Sequence, residues 1–328
     1  MDLELFKRTE TRRGLLPIEV ISFVYGLFTS LLIILLYPRM DHPGLMLMER
    51  TGIGLSTLLL VILYQQYSCK LTLFFRYVFQ LGLLAYWYPD TYEFNRLFPN
   101  LDHLFAHTEQ VLFGCQPSIE FSQWLSSPFF SEAFNMGYFA YYPMIFGIVL
   151  FYFVARYQEF GRTAFIVLNS FFLYYLIYIF VPVAGPQYYF PAIGLDQVAM
   201  GDFRAVGDYF NYNSTLLPSP GDSSGFFYHM VEMTQQAGER PTAAFPSSHV
   251  GMSTIIFLLA LRTRNKVLIG ILFPFYALLC CATVYIQAHY LIDAIAGFGS
   301  AFVVYALSST AYRFFPEPEV EVVRVRRF

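Results

Sequence analysis

The chain has 328 residues, of which 56% are hydrophobic, 20% aromatic and only 13% charged. Ordinary soluble domains carry about 25% charged residues, so this composition excludes a disordered chain, a nucleic-acid binder and an ordinary water-soluble globule. The net charge of −3 points to no class of partner, and a mean hydropathy of +0.49 leaves a polytopic, all-helical membrane protein. A soluble protein this apolar would expose large aggregating patches.

A helix needs about 20 apolar residues to cross a bilayer. In chain order, eight segments are candidates: 17–37, 51–67, 71–88, 134–154, 163–183, 246–261, 267–287 and 289–311. Pro38, Pro89, Pro182 and Pro246 fall at or near span ends, where proline disturbs a helix least. The first span follows Lys7, Arg8, Arg12 and Arg13 as a signal peptide would. Its apolar stretch is too long for a signal core, however, and ends in Tyr37-Pro38-Arg39 without a small-residue cleavage site, so a retained span is expected.

With eight spans and a cytoplasmic N-terminus, most of the 20 Lys and Arg fall on the cytoplasmic side. The outer set is only Arg39, Arg50, Arg96, Arg204 and Arg240, and Arg76 lies within a span. This bias matches the positive-inside rule. Two long segments, 89–133 and 184–245, then lie outside. The first looks partly amphipathic through Leu101, Leu104, Phe105, Phe121, Trp124 and Leu125, as helices along the interface would. The second is long enough to be functional, and its tyrosines argue against disorder. The tail after Phe315 reads as a solvated cytoplasmic strand or coil. The four cysteines suggest no disulfide framework: Cys280 and Cys281 are adjacent in an apolar run, and Cys69 and Cys115 fall on opposite sides of the membrane.

Two of the six histidines stand at the outer ends of spans. His249 closes Phe245-Pro246-Ser247-Ser248-His249, and His289 stands in Gln287-Ala288-His289-Tyr290 with Asp293 four residues on. If a helix carries both, positions i and i+4 share a face, and Asp293 can fix the tautomer of His289 and leave its other nitrogen nucleophilic. A carboxylate one turn into an apolar span is a functional candidate in its own right. Ser247 or Ser248 can cap the helix that carries His249, whose N-terminus favours an anion such as phosphate. A protonated His249 there can give a proton to a leaving oxygen. The two histidines also invite a bis-histidine haem or a zinc site, but no second histidine pair is evident, and His229 is the only loose third ligand for zinc.

FPSSH followed some forty residues later by HYLID resembles the second and third signature motifs of the type 2 phosphatidic acid phosphatase superfamily. It most resembles the inositolphosphotransferase-like branch, which includes fungal inositol phosphorylceramide synthase and, more distantly, sphingomyelin synthase. The resemblance covers about 71–311. It implies a six-span catalytic core over 71–311 with the long loop 184–245, an added two-span hairpin within 1–70, and a tail at 312–328. It further implies that His289 attacks phosphorus to form a phosphohistidine, that Asp293 orients it, that His249 is the acid and later the base, and that no metal or cofactor takes part. Two cationic features of the phosphatase branch are missing. A Ser-Arg pair is replaced by Ala282-Thr283, and the first motif is matched by Pro182-Val183-Ala184-Gly185-Pro186-Gln187-Tyr188-Tyr189. Arg240 is therefore the expected phosphate grip and Arg204 its competitor, while Gln187, Tyr188 and Tyr189 are candidates to bind a hydroxylated headgroup.

The expected function is a membrane phosphotransferase that moves a phospho-headgroup from a phospholipid to a lipid hydroxyl, such as that of a ceramide or diacylglycerol, at the periplasmic, extracellular or lumenal face. The alternatives are a lipid phosphate phosphatase that uses water, and a non-enzymatic lipid carrier.

Overall fold

The computed structural model describes residues 5–9, 11–315 and 320–321, so most of the tail after Phe315, including Arg324, Arg326 and Arg327, lies outside the described residues. The chain is an all-helical membrane protein. Its helices are α1 (Pro17–Leu36), α2 (Pro43–Gln66), α3 (Lys70–Gly82), α4 (Leu84–Asn95), α5 (Asp102–Phe113), α6 (Pro117–Trp124), α7 (Pro128–Phe139), α8 (Tyr141–Ala155), α9 (Tyr157–Phe180), α10 (Pro186–Ile193), α11 (Leu195–Met200), α12 (Phe226–Gly238), α13 (Ser248–Thr263), α14 (Lys266–Tyr285) and α15 (Leu291–Ala311). The only ladder among the described residues is a two-residue antiparallel pairing of Thr11–Arg12 with Val320–Glu321.

Among the described residues, five helices are long and apolar enough to cross a membrane: Pro17–Arg39, Pro43–Gln66, Tyr157–Phe180, Lys266–Tyr285 and Leu291–Phe314. A sixth is added if Pro128–Phe139 and Tyr141–Ala155, bent by 44°, form one span. Ser248–Thr263 is apolar but shorter. The segment expected to cross at 71–88 is instead broken at Leu83 into α3 and α4, and α4 carries Pro89 inside it together with Asp90 and Glu93. The second span starts earlier than its apolar run. Arg50, expected outside, lies within α2, where its guanidinium donates to the Thr29 hydroxyl (3.2 Å), the Met46 carbonyl (3.1 Å) and the Tyr86 hydroxyl (3.2 Å). A paired charge lets the helix continue where hydropathy alone stops it.

The structure divides into two compact units. The first contains the described residues up to Tyr86, with Gln158–Asn169 and the residues from Leu307 on. Its centre is a fully buried ion pair: Arg76 Nε and Nη2 meet Glu19 Oε1 and Oε2 at 2.7 and 2.5 Å. The Leu16 N–H also donates to Glu19 (2.7 Å), Arg76 donates to the Gly14 carbonyl (3.0 Å), and the Tyr64 ring lies 5.0 Å from the guanidinium. A buried charge survives only when paired and hydrogen-bonded, and this pair meets both conditions.

The second unit comprises Trp87–Tyr157 and Ser170–Ala306 and contains every motif residue. In it α14 packs on α7, α13 and α6, and α12 packs on α7. Gly137 allows the α7–α14 contact, since a Cβ there would stand 2.6 Å from Leu278 Cβ. The amphipathic stretch forms α5 and α6: Phe105 stacks on Tyr290 and Phe121 packs against Tyr285, while Leu104 and Trp124 are exposed. The segment 184–245 is ordered by α10, α11, α12 and a core of Tyr188, Tyr189, Phe190 and Phe210.

Candidate active site

Three stretches, far apart in sequence, are laced together by backbone hydrogen bonds. The Ala244 N–H donates to the Val183 carbonyl (2.9 Å), Gln187 to Gln287 (2.9 Å), and Ser247 to Asp293 (3.0 Å). Gly185 (φ 93°) makes the approach to the Gln287 stretch possible, because a Cβ there would stand 2.6 Å from the Ala288 carbonyl oxygen. Ala243 and Gln287 hold left-handed backbone with φ of 67° and 63°. Such conformations cost roughly 1–3 kcal/mol each and persist where their surroundings over-determine them. Both flank the histidine pair. Ser247 caps α13 by accepting the Val250 N–H (3.3 Å), while Tyr178 takes the Ser248 N–H and donates to the Pro246 carbonyl, both at 2.9 Å.

This lacing brings the two expected histidines into contact. His289 Nδ1 lies 2.8 Å from the Ala244 carbonyl oxygen, and its Nε2 lies 3.3 Å from His249 Nδ1. A carbonyl only accepts, so Nδ1 carries the proton and Nε2 presents its lone pair. His249 is clasped by Tyr138 and Tyr141, with ring centroids 4.7 and 4.4 Å away. Asp293 does not hydrogen-bond the ring as expected, since Oδ2 is 3.8 Å from His289 Nδ1. The reason is local: α15 begins at Leu291, so His289 is not on the helix and the i, i+4 geometry does not apply. Asp293 Oδ2 instead accepts the Tyr290 N–H at 2.9 Å, which holds the turn that presents His289.

Three further acids lie near the pair, Asp102 and Glu109 buried and Glu239 half-buried. Asp102, at the start of α5, accepts from Ala184 N (2.6 Å), Gly185 N (2.8 Å), Asn100 Nδ2 (2.6 Å) and the Tyr290 hydroxyl (3.1 Å). Burial pushes its carboxyl above the usual carboxylate range and these donors pull it back. Glu109, two turns along the same helix, accepts the Ile292 N–H at 3.0 Å. Burial, with a smaller contribution from the Asp293 charge, pushes it up to about 7. Glu239 accepts the Gln187 side-chain amide (2.9 Å) and the Tyr138 hydroxyl (3.1 Å). None of the three falls in a motif. The one sequence signal was their acidity within otherwise weakly charged segments.

An open cavity lies over the histidines, lined among others by Gln187, Glu239, Arg240, Ser248, His249 and His289. Arg240 is exposed and has no ion-pair partner among the described residues. Arg204 is not brought to the cavity. It is 67% exposed and bound to Asp202 at 2.5 Å. Tyr188 and Tyr189 do not line the cavity; both are buried in the core, and the Tyr189 hydroxyl donates to the Arg204 carbonyl. Ser247 is buried as the α13 cap and does not line the cavity. His229 sits on exposed α12 surface, 3.6 Å from Glu232. No group of three or more His, Cys, Asp or Glu suited to hold a metal ion exists among the described residues. All four cysteines are free.

No curated protein and no solved structure matches this chain. A family model described as the PAP2 superfamily matches residues 102–307, well over half the chain, a stretch that contains His249, His289 and Asp293, and the chain belongs to that superfamily.

Proposed function

We propose that the protein is a membrane lipid phosphotransferase that moves a phospho-headgroup, such as phosphoinositol, from a phospholipid to the hydroxyl of a ceramide or diacylglycerol. Membership in the PAP2 superfamily suggests a lipid phosphatase or phosphotransferase. The observation that carries the reading further is the tautomer of His289, whose Nδ1 is engaged by Ala244 and whose Nε2 is unprotonated beside His249. The incoming phosphoryl group replaces His249 as the partner of Nε2. The Nε2 lone pair forms the N–P bond as the P–O bond to the diacylglycerol breaks, and protonated His249 gives its proton to the leaving oxygen. In the second half, the acceptor hydroxyl attacks phosphorus, its proton passes to His249, and the N–P bond breaks. The Ala244 carbonyl, still accepting from Nδ1, supports the positive charge on the phosphorylated ring.

Arg240 is the cation placed to meet charge on the equatorial oxygens. A lipid acceptor is favoured over water by the motif pattern, in which Ala282-Thr283 and the proline-rich 182–189 segment stand where the phosphatase branch has arginines. With eight crossings, the Lys and Arg distribution supports cytoplasmic termini with the histidines at the opposite face, and the motif resemblance supports a core over 71–311 preceded by a two-span hairpin. His289 supplies the nucleophile and His249 gives and takes the proton, so EDTA is expected to leave the rate unchanged. A loss of activity restored by zinc would overturn that part.

The test uses purified protein in detergent with mixed phospholipids and a fluorescent ceramide or diacylglycerol, and follows inorganic phosphate and new lipids by chromatography and mass spectrometry. A new fluorescent lipid that bears the donor headgroup and disappears in His289→Ala is the expected result. Phosphate release alone makes the protein a phosphatase. Neither product, with full biological activity retained by His289→Ala, leaves a carrier.

A further inference from the structure

One group in the cavity has no part in the transfer steps. Glu239 caps the C-terminal end of α12 and lines the cavity together with both histidines. Its two oxygens accept from Gln187 Nε2 and the Tyr138 hydroxyl, and Gln187 is held in turn by Gln235, whose Nε2 lies 3.3 Å from Gln187 Oε1. No Lys or Arg pairs with it among the described residues. Donors on both oxygens favour the ionised form. Burial opposes ionisation and pushes the carboxyl upward, while the hydrogen bonds from Gln187 and Tyr138 pull it back down.

A carboxylate in a phosphate-binding cavity repels a substrate that offers charge alone. It favours one that brings hydrogen-bond donors, since bonds to an ionised acceptor are the strong ones. A second group in the same cavity points the same way. Thr242 is 5% exposed, and its hydroxyl has no hydrogen-bond partner. A site built to hydrogen-bond a substrate hydroxyl or amine rejects the analogue that lacks it, because the site's buried polar groups are then left unpaired.

Resting on the reading of this cavity as a phospholipid headgroup site, we propose that Glu239 is a specificity-determining residue of the donor subsite. Together with Thr242 it selects phosphodiesters whose headgroup carries hydroxyl or ammonium hydrogens and turns away phosphomonoesters. Arg240 takes the phosphate charge, and Glu239 reads what lies beyond it.

The experiment measures binding of four short-chain lipids to the full chain in detergent by calorimetry: dihexanoyl phosphatidylinositol, phosphatidylethanolamine, phosphatidylcholine and phosphatidic acid. The first two bring hydrogen-bond donors of different kinds, the third a cation without donors, and the fourth a bare monoester. The wild type is expected to bind phosphatidylinositol, phosphatidylethanolamine or both about tenfold more tightly than phosphatidic acid and phosphatidylcholine. Which of the two donor-bearing lipids wins tells hydroxyl from ammonium. Glu239→Gln, which keeps the shape and removes the charge, should bring the preference over phosphatidic acid to within about threefold. Thr242→Val should narrow it about threefold, and it serves as the second variant if Glu239→Gln does not fold.

A preference unchanged in a folded Glu239→Gln, or by Thr242→Val if only that variant folds, overturns the proposal, as does a wild type that prefers phosphatidic acid. Binding of none of the four lipids overturns the reading of the cavity as well. The phosphohistidine reading fails separately, through activity that survives His289→Ala, and that outcome leaves the binding preference where it stands.

Discussion

The Asp102 carboxylate accepts the Tyr290 hydroxyl at 3.1 Å while it also holds the backbone N–H groups of Ala184 and Gly185. One buried side chain of α5 thus ties the 183–187 stretch to the residue that follows His289. Removing a buried acceptor strands its donors at roughly 1–3 kcal/mol for each unsatisfied group. Asp102→Ala is therefore expected to cost about 3 kcal/mol or more, read by unfolding in detergent, and to abolish transfer. Asp102→Asn keeps one acceptor oxygen and should lose less. Wild-type stability in Asp102→Ala would mean that the two stretches are held by other contacts.

Asp293 offers a second comparison. A carboxylate bonded directly to a catalytic imidazole is worth about 10⁴ in kcat, because its loss leaves the wrong tautomer. Here the Ala244 carbonyl fixes the tautomer, and Asp293 stands 3.8 Å from the ring. Asp293→Asn retains an acceptor for the Tyr290 N–H, so the expected loss in kcat is about 100-fold or less. A loss near 10⁴ in single-turnover kinetics would mean that the carboxylate closes on Nδ1 during the reaction.

These two residues also mark what the sequence could and could not reveal. His249 and His289 were legible because each stands in a compact motif at a span end, and the structure places them 3.3 Å apart. The partner of His289 Nδ1 was not legible, since it is a backbone carbonyl and carries no residue signature. Reading Asp293 as that partner assumed a helix that starts two residues too early. Asp102, Glu109 and Glu239 gain their roles only from tertiary packing, which brings segments up to nearly two hundred positions apart into contact. Arg50 misled for a related reason: hydropathy counts a charge as an end of a span, whereas Thr29, Met46 and Tyr86 satisfy it within one. The apolar runs of α1, α9, α14 and α15 needed no such context, and their positions agree with expectation.

Glu109 makes a pH-dependent prediction. Its carboxyl is raised from an ordinary value of 4.5 to about 7, first by burial and then by the nearby Asp293 charge. Between those two values the folded protein binds more protons at this site than the unfolded chain, so stability falls as pH rises. The contribution is complete below about pH 4.5 and is lost as pH passes 7, a change of roughly 3 kcal/mol. Glu109→Gln keeps an acceptor for the Ile292 N–H without the titration. Unfolding measured from pH 4.5 to 8 should show the wild type losing stability relative to Glu109→Gln across that window. Parallel profiles would mean that Glu109 is solvated in the native state.

His249 can be tested through the leaving group. Its ring is held between Tyr138 and Tyr141 with Nδ1 facing His289 Nε2, so it can reach the bond being broken once the two rings part to admit the phosphoryl group. A general acid contributes about 10² to 10⁴ in rate when the departing oxygen is basic, and little when the leaving group departs as a stable anion. His249→Ala should therefore lose about 10² to 10⁴ in the first half-reaction with a diacylglycerol leaving group. With a nitrophenyl phosphodiester lipid the same variant should lose less than about tenfold in nitrophenolate release, while His289→Ala should be inactive toward both. The intermediate should then accumulate in His249→Ala, because the acceptor hydroxyl still needs a base in the second half-reaction. It would be seen as acid-labile, base-stable phosphorylation of His289 by mass spectrometry. Equal losses on both substrates would assign His249 to holding the phosphate rather than to moving a proton.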